Sequence, residues 1–118
     1  MTTITLDTQT DELTRWAQGS LPHMAAAHML IHSPLKPKLW PVLTHRNHYE
    51  ETTILTLDSA AGQLDQYMLS GGELAVARLI IELGDVDTGT PLAEMLCRLD
   101  PANAAAFYQA ATILTEGA

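Results

Sequence analysis

Four histidines stand in two spaced pairs, His28 with His32 and His45 with His48, and they are the residues here whose type and spacing could bind a metal. Four apart on a helix, His28 and His32 project from one face, as two metal ligands can. A zinc site wants three or four ligands with hydrogen-bonded support behind them. The chain has no Cys pair and no His-Glu-x-x-His pattern, since Met29 follows His28. Glu50 or Glu51 would complete a site only if the intervening chain folded back on itself. Surface or partly packed histidines account for the pattern more simply, and no metal is expected.

Other catalytic groupings are thinner. Leu69-Ser70-Gly71-Gly72-Glu73 is close to the signature loop of the ATP-binding-cassette ATPases, and Ala75-Val76-Ala77-Arg78 continues in that style. That loop acts on a nucleotide held by a phosphate loop, and no glycine-rich segment ending in Lys-Ser or Lys-Thr exists here. Ser70 to Glu73 is instead the spacing of a capping box, which starts a helix. Ser20, Ser33 and Ser59 lack a nucleophile-elbow context. Cys97 lies in Glu94-Met95-Leu96-Cys97-Arg98, where apolar helical flanks predict a packed thiol despite Arg98 beside it. The carboxylate pairs Glu50-Glu51 and Asp85-x-Asp87 have no apolar surroundings that would raise a pKa, and Asp85 after Gly84 reads as turn chemistry. No enzyme and no cofactor are expected.

The elements that must position these residues are marked by caps and breakers. Thr8 or Thr10 predicts the start of a helix to about Gln18, stopped by Gly19-Ser20, and Pro22 suits the first turn of a second helix running to Ser33-Pro34. Residues 33 to 41 hold three prolines. They predict a connector or broken turn, with a helical piece from Pro41 to Arg46. Asp58 or Ser59 opens a helix through Leu69, Ser70 opens a stronger one to Leu83, and Gly84 stops it. Thr90 and Pro91 start another helix, and Asp100 and Pro101 start the last. Two β-rich stretches, Thr2 to Asp7 and Thr52 to Asp58, echo each other at a fixed offset and leave open a two-stranded pairing of 2-7 with 52-58. The echo extends to Leu13 and Leu64 and to Trp16 and Tyr67, which suggests a duplicated helical hairpin; two unrelated amphipathic hairpins would give the same similarity.

With 118 residues, 47% hydrophobic and 17% charged, the composition predicts one domain over 1-118, all-α, built of antiparallel helical hairpins stacked as a small bundle or short solenoid. The lone Cys97 cannot form an internal disulfide, and Met1 to Thr5 lacks the basic flank and apolar core of a signal peptide. A cytoplasmic protein with no membrane span is expected. The net charge of −8 is unevenly placed: residues 13 to 49 hold Arg15, Lys36, Lys38 and Arg46 and no acid, whereas from Glu50 onward eleven acids face only Arg78 and Arg98. An acidic half repels nucleic acid and suits a basic protein surface. The aromatic and basic mixture of Trp16, Lys36, Lys38, Trp40 and Arg46 is too sparse for a nucleic-acid surface.

From Ser70 onward the chain resembles the tetratricopeptide repeats. With Pro101 taken as the closing proline, a 34-residue repeat begins at Ser70. Ala77 then falls at a small-residue position, Gly84-Asp85 at the inter-helix turn, and Leu99-Asp100-Pro101 at the close; in the next, partial repeat Phe107 and Tyr108 fall at large aromatic positions and Ala111 at a small one. Glu73 where an aromatic is usual, Gly89 in place of a small alanine, and Pro91 near the start of the second helix depart from the pattern. The second helix should therefore begin late and be short. The resemblance covers residues 70-117, and no third repeat is found upstream. It implies a protein-binding groove lined by the first helices of successive repeats, and by position Arg78, Glu82, Tyr108, Gln109 and Thr112 would face it.

The expected function is a non-enzymatic interaction module, an adaptor or chaperone-like protein that lays a partner segment in that groove. The alternative is a small acidic inhibitor, such as an immunity, anti-restriction or phage-defence protein, acting through Glu50, Glu51, Asp58, Asp65, Asp85 and Asp87. A homodimer through the Pro-Trp connector or an exposed apolar helix is a third arrangement.

Overall fold

Three of the helices begin where a polar side chain closes a backbone hydrogen bond. In the computed structural model, which describes residues 6–46 and 52–117, Ser70 and Glu73 form both halves of the capping box at the start of α5 (Gly71–Leu83): the Ser70 amide donates to Glu73 Oε1 at 2.7 Å, and the Glu73 amide donates to Ser70 Oγ at 3.2 Å. The Asp100 carboxylate accepts from the Asn103 amide at 2.8 Å and opens α7 (Pro101–Glu116). Ser20 does the same for His23 at the start of α2 (Leu21–His32), with Pro22 in the first turn. Before it, α1 (Leu6–Ala17) ends at Gly19, whose φ of +88° only glycine adopts at no steric cost, and the chain turns back along α1.

Elsewhere long-range packing moves the expected boundaries. Helix α1 begins at Leu6, upstream of Thr8 and Thr10. The three prolines do not break the chain: α3 runs Lys36–Leu43, with Pro37 in the first turn, where no amide partner is needed, and the exposed Pro41 forfeiting one bond. Burial of Leu39, Trp40, Val42 and Leu43 outweighs that loss. The expected helical piece from Pro41 to Arg46 is thus the end of α3 followed by strand β1 (Thr44–Arg46). Strand β2 (Thr53–Leu55) pairs antiparallel with β1, Thr44 opposite Leu55 and Arg46 opposite Thr53. That corrects the pairing of 2-7 with 52-58: Leu6 and Asp7 belong to α1, and residues 2 to 5 lie outside the described residues. A partner a few residues away in sequence costs less to bring alongside than one some fifty residues away. Helix α4 (Leu57–Gln63) follows Thr56, not Asp58 or Ser59, and closes with a 3-10 turn at Leu64–Gln66, short of Leu69. Helix α6 is only Leu92–Leu96, late and short as the proline at 91 implies.

Seven α-helices and one small two-stranded sheet make up the described residues, a mostly all-α fold. Helices α2 and α5 are apolar nearly all round and form its centre: Ala25, Ala26, Ala27, Met29 and Leu30 from one, Val76, Leu79, Ile80 and Ile81 from the other, each within a few per cent of full burial. Helix α2 carries α1, α3, α5 and α7 around it, and its broadest contact is with α7. Small residues on both, the three alanines of α2 and Ala106 and Ala110 of α7, allow that close approach. The Ser33 hydroxyl donates to Asn103 Oδ1 at 2.5 Å, both residues being buried, and fixes the start of α7 over the end of α2. Among the described residues no helix is long and apolar enough to cross a membrane.

Candidate functional site

A mismatch in helix length opens an apolar cleft. Helix α7, with 16 residues, is about 24 Å long, while α6, with five, covers about 7 Å beside it. Leu79 and Leu83 of α5, Leu92 and Met95 of α6, and Phe107 and Leu114 of α7 wall the space left over, about 280 Å³. Leu92 is 53% and Leu114 38% exposed, so large apolar side chains meet water at its mouth. Glu82 and Thr90 are its polar lining. Glu82 also accepts from both the amide and the hydroxyl of Thr88 at 3.2 Å, which pins residues 84 to 91 across the end of α5. Asp85 in that loop stands at φ +69°, a turn residue in the left-handed region, and Asp87 accepts from the Gly89 amide at 2.8 Å.

The five residues expected to line a groove divide between faces. Glu82 lines the cleft. Arg78 lies one turn earlier on α5, in a recess of about 70 Å³ with Glu94 and Arg98 that shares Thr90 and Met95 with the cleft. Tyr108 is 64% exposed and packs edge-on against Phe107, their centroids 6.0 Å apart; Phe107 is the aromatic that enters the cleft. Gln109 faces α2, its Oε1 3.1 Å from His28 Nε2. Thr112 is exposed, and its hydroxyl donates to the Gln109 carbonyl at 2.6 Å. Leu92 and Leu114 went unmarked in the sequence, and Phe107 was marked only as a large aromatic of the repeat pattern, not as a groove residue. The spacing of Asn103, Ala106, Ala110 and Ile113 along α7 was the available signal, since it sets which side of that helix packs inward.

No known family, curated protein or solved structure matches the chain. Its function therefore has to follow from its own residues. Among the described residues no group of three or more His, Cys, Asp or Glu could hold a metal ion. His28 and His32 do come together, their rings 4.2 Å apart and tilted by 36°. Partial burial, then the nearby His28 and Lys36, holds the His32 imidazole below its ordinary range. His45 is exposed on β1, and His48, Glu50 and Glu51 lie outside the described residues. Cys97 is exposed, not packed, because α6 ends before it; its Sγ donates to the Glu94 carbonyl at 3.3 Å. Ser70 is occupied in its cap.

The charge asymmetry is carried onto the surface. Asp58, Asp65, Asp85, Asp87, Glu94, Asp100 and Glu116 are all exposed. Glu73 is engaged by Lys38 at 2.8 Å, and Glu12 by Arg46 at 3.3 Å. The hydrogen bond from Lys38, with that of the Ser70 amide, holds the Glu73 carboxyl below its ordinary range.

Proposed function

We propose that the chain is a non-enzymatic protein-binding module whose cleft between α5, α6 and α7 takes an apolar segment of a partner protein. The observation that carries this reading is the cleft itself, walled by six large apolar side chains with Leu92 and Leu114 open to water. The rim supplies the chemistry of selection. Glu82 is the one charged residue lining the cleft, the adjoining recess sets Glu94 beside Arg78 and Arg98, and this half of the chain carries a large excess of acid, so the segment that fits carries two spaced large apolar residues with a Lys or Arg placed to meet Glu82. In the tetratricopeptide-like reading, α5 and α7 are the first helices of successive repeats and α6 the second helix between them, a placement consistent with a groove at this corner. A lone cysteine suits work in a reducing compartment such as the cytoplasm.

Panning a library of short random peptides on the intact protein and on Leu92→Glu/Leu114→Glu tests the reading. Peptides with paired apolar anchors and basic flanks should enrich on the first and not on the second, whose helical circular dichroism stays unchanged. Equal enrichment on both rejects the cleft.

The acidic-inhibitor reading rests on a different observation, the exposed carboxylates of Asp58, Asp65, Asp85 and Asp87. Binding through them gives an association rate that falls steeply with salt, whereas binding in the cleft is far less sensitive.

A further inference from the structure

Between α1, α2 and α7 lies a half-open pocket of about 310 Å³, within the size range of small-molecule sites. Ala17, Met24, Ala27, Ile31 and Ile113 make most of its wall apolar. Its ionisable groups are two imidazoles, His28 and His32, and no lining residue carries a negative charge. Glu12 of α1 is committed elsewhere, to Arg46 and the Thr53 amide. The His28 Nε2 contact to Gln109 Oε1 anchors one imidazole to α7, and the second ring stands against it at 4.2 Å. Two imidazoles so close cannot both take protons without repulsion, unless an anion lies against them. A ligand with a compact hydrocarbon body and one carboxylate meets both features, apolar wall and paired imidazoles.

We propose that this cavity binds a small apolar monocarboxylate, its hydrocarbon body against Met24, Ile31 and Ile113 and its carboxylate accepting from a ring N–H of His32, beside the His28 ring that Gln109 holds. The groups that bear on His32 are His28 on its own helix, Lys36 at the start of α3, and the neutral Thr14 and Gln18 of α1 around the cavity. In the free protein partial burial, then His28 and Lys36, hold the His32 imidazole below its ordinary range, which favours the neutral ring. An arriving carboxylate favours its protonated form, so binding takes up a proton and strengthens as the pH falls.

Isothermal titration of the full chain with octanoate and with octanol, near pH 6 and near pH 8, tests this. Octanoate should bind about tenfold more tightly than octanol near pH 6, the worth of one charge-assisted hydrogen bond, with the ratio falling toward one near pH 8. His28→Gln/His32→Gln should keep octanol binding and lose the advantage of the acid. Thr14→Trp, which lays a ring across the cavity from the exposed side of α1, should abolish both while leaving the circular dichroism unchanged. Absence of octanoate binding, equal affinity for acid and alcohol at both pH values, or binding that survives Thr14→Trp would overturn the proposal.

Discussion

Helix α7 is closed along one side and open along another. Toward α2 it presents Ala106 and Ala110 to a helix that itself carries three successive alanines, and the buried Ser33–Asn103 hydrogen bond locks the register. Toward α5 and α6 it presents Phe107 and Leu114, larger and more apolar, yet Leu114 stays partly in water. Hydrophobicity therefore does not decide which side is sealed. Small residues let two long helices meet along their length, whereas a five-residue α6 cannot cover a sixteen-residue partner whatever its side chains.

The largest effect that sharpens this contrast is truncation on either side of it. Leu30, fully buried on α2, should cost about 2–5 kcal/mol as Leu30→Ala by urea denaturation, because the close-packed centre cannot collapse into the space. Leu92→Ala at the cleft should cost about 0.5 kcal/mol or less, since its side chain is already half in water. Comparable losses at the two positions would mean that the cleft is closed in solution.

Two intermediate effects probe the edges of each region. Asn103→Ala leaves the buried Ser33 hydroxyl without its acceptor and should cost about 1–3 kcal/mol, with hydrogen exchange quickening at the start of α7. Gly84→Ala should cost a similar amount, about 1–3 kcal/mol, because a Cβ there would overlap the Leu57 side chain at the buried end of α5. An unchanged urea midpoint for Gly84→Ala would show that Leu57 has room to move aside.

The same contrast explains what the sequence made legible. Ser70 with Glu73, Asp100 with Pro101, and the late start forced by Pro91 act within a few residues, so their chemistry is complete in the local sequence. The helix at Lys36–Leu43 was hidden, because its prolines argue against it locally and only the burial of Leu39, Trp40, Val42 and Leu43 argues for it. Thr53–Leu55 was legible as β-prone, but its partner was not, since pairing depends on which strand folding brings alongside. At the candidate sites, the spacing of His28 and His32 foretold their meeting. Of the two adjacent aromatics on α7, Phe107 rather than Tyr108 lines the cleft, because the rotation of α7 is set by its contact with α2.

The smallest effects are electrostatic, and they separate two titrating groups by pH window. His32 has a folded-state pKa below its ordinary 6.5, so the unfolded chain takes the proton first. Stability should therefore fall as the pH drops through about 6.5 and level off below the folded-state value, and His32→Gln should flatten that slope. Glu73, at the start of α5, has a carboxyl pKa lowered from 4.5 by Lys38 and the Ser70 amide, so its contribution is complete above that pH and is lost as the pH falls through the lower folded-state value. Lys38→Met should weaken only this more acidic step. Urea midpoints measured across both windows would therefore assign each slope to its own group, and a Lys38→Met variant that altered the slope near pH 6.5 would show that the two groups titrate as one unit.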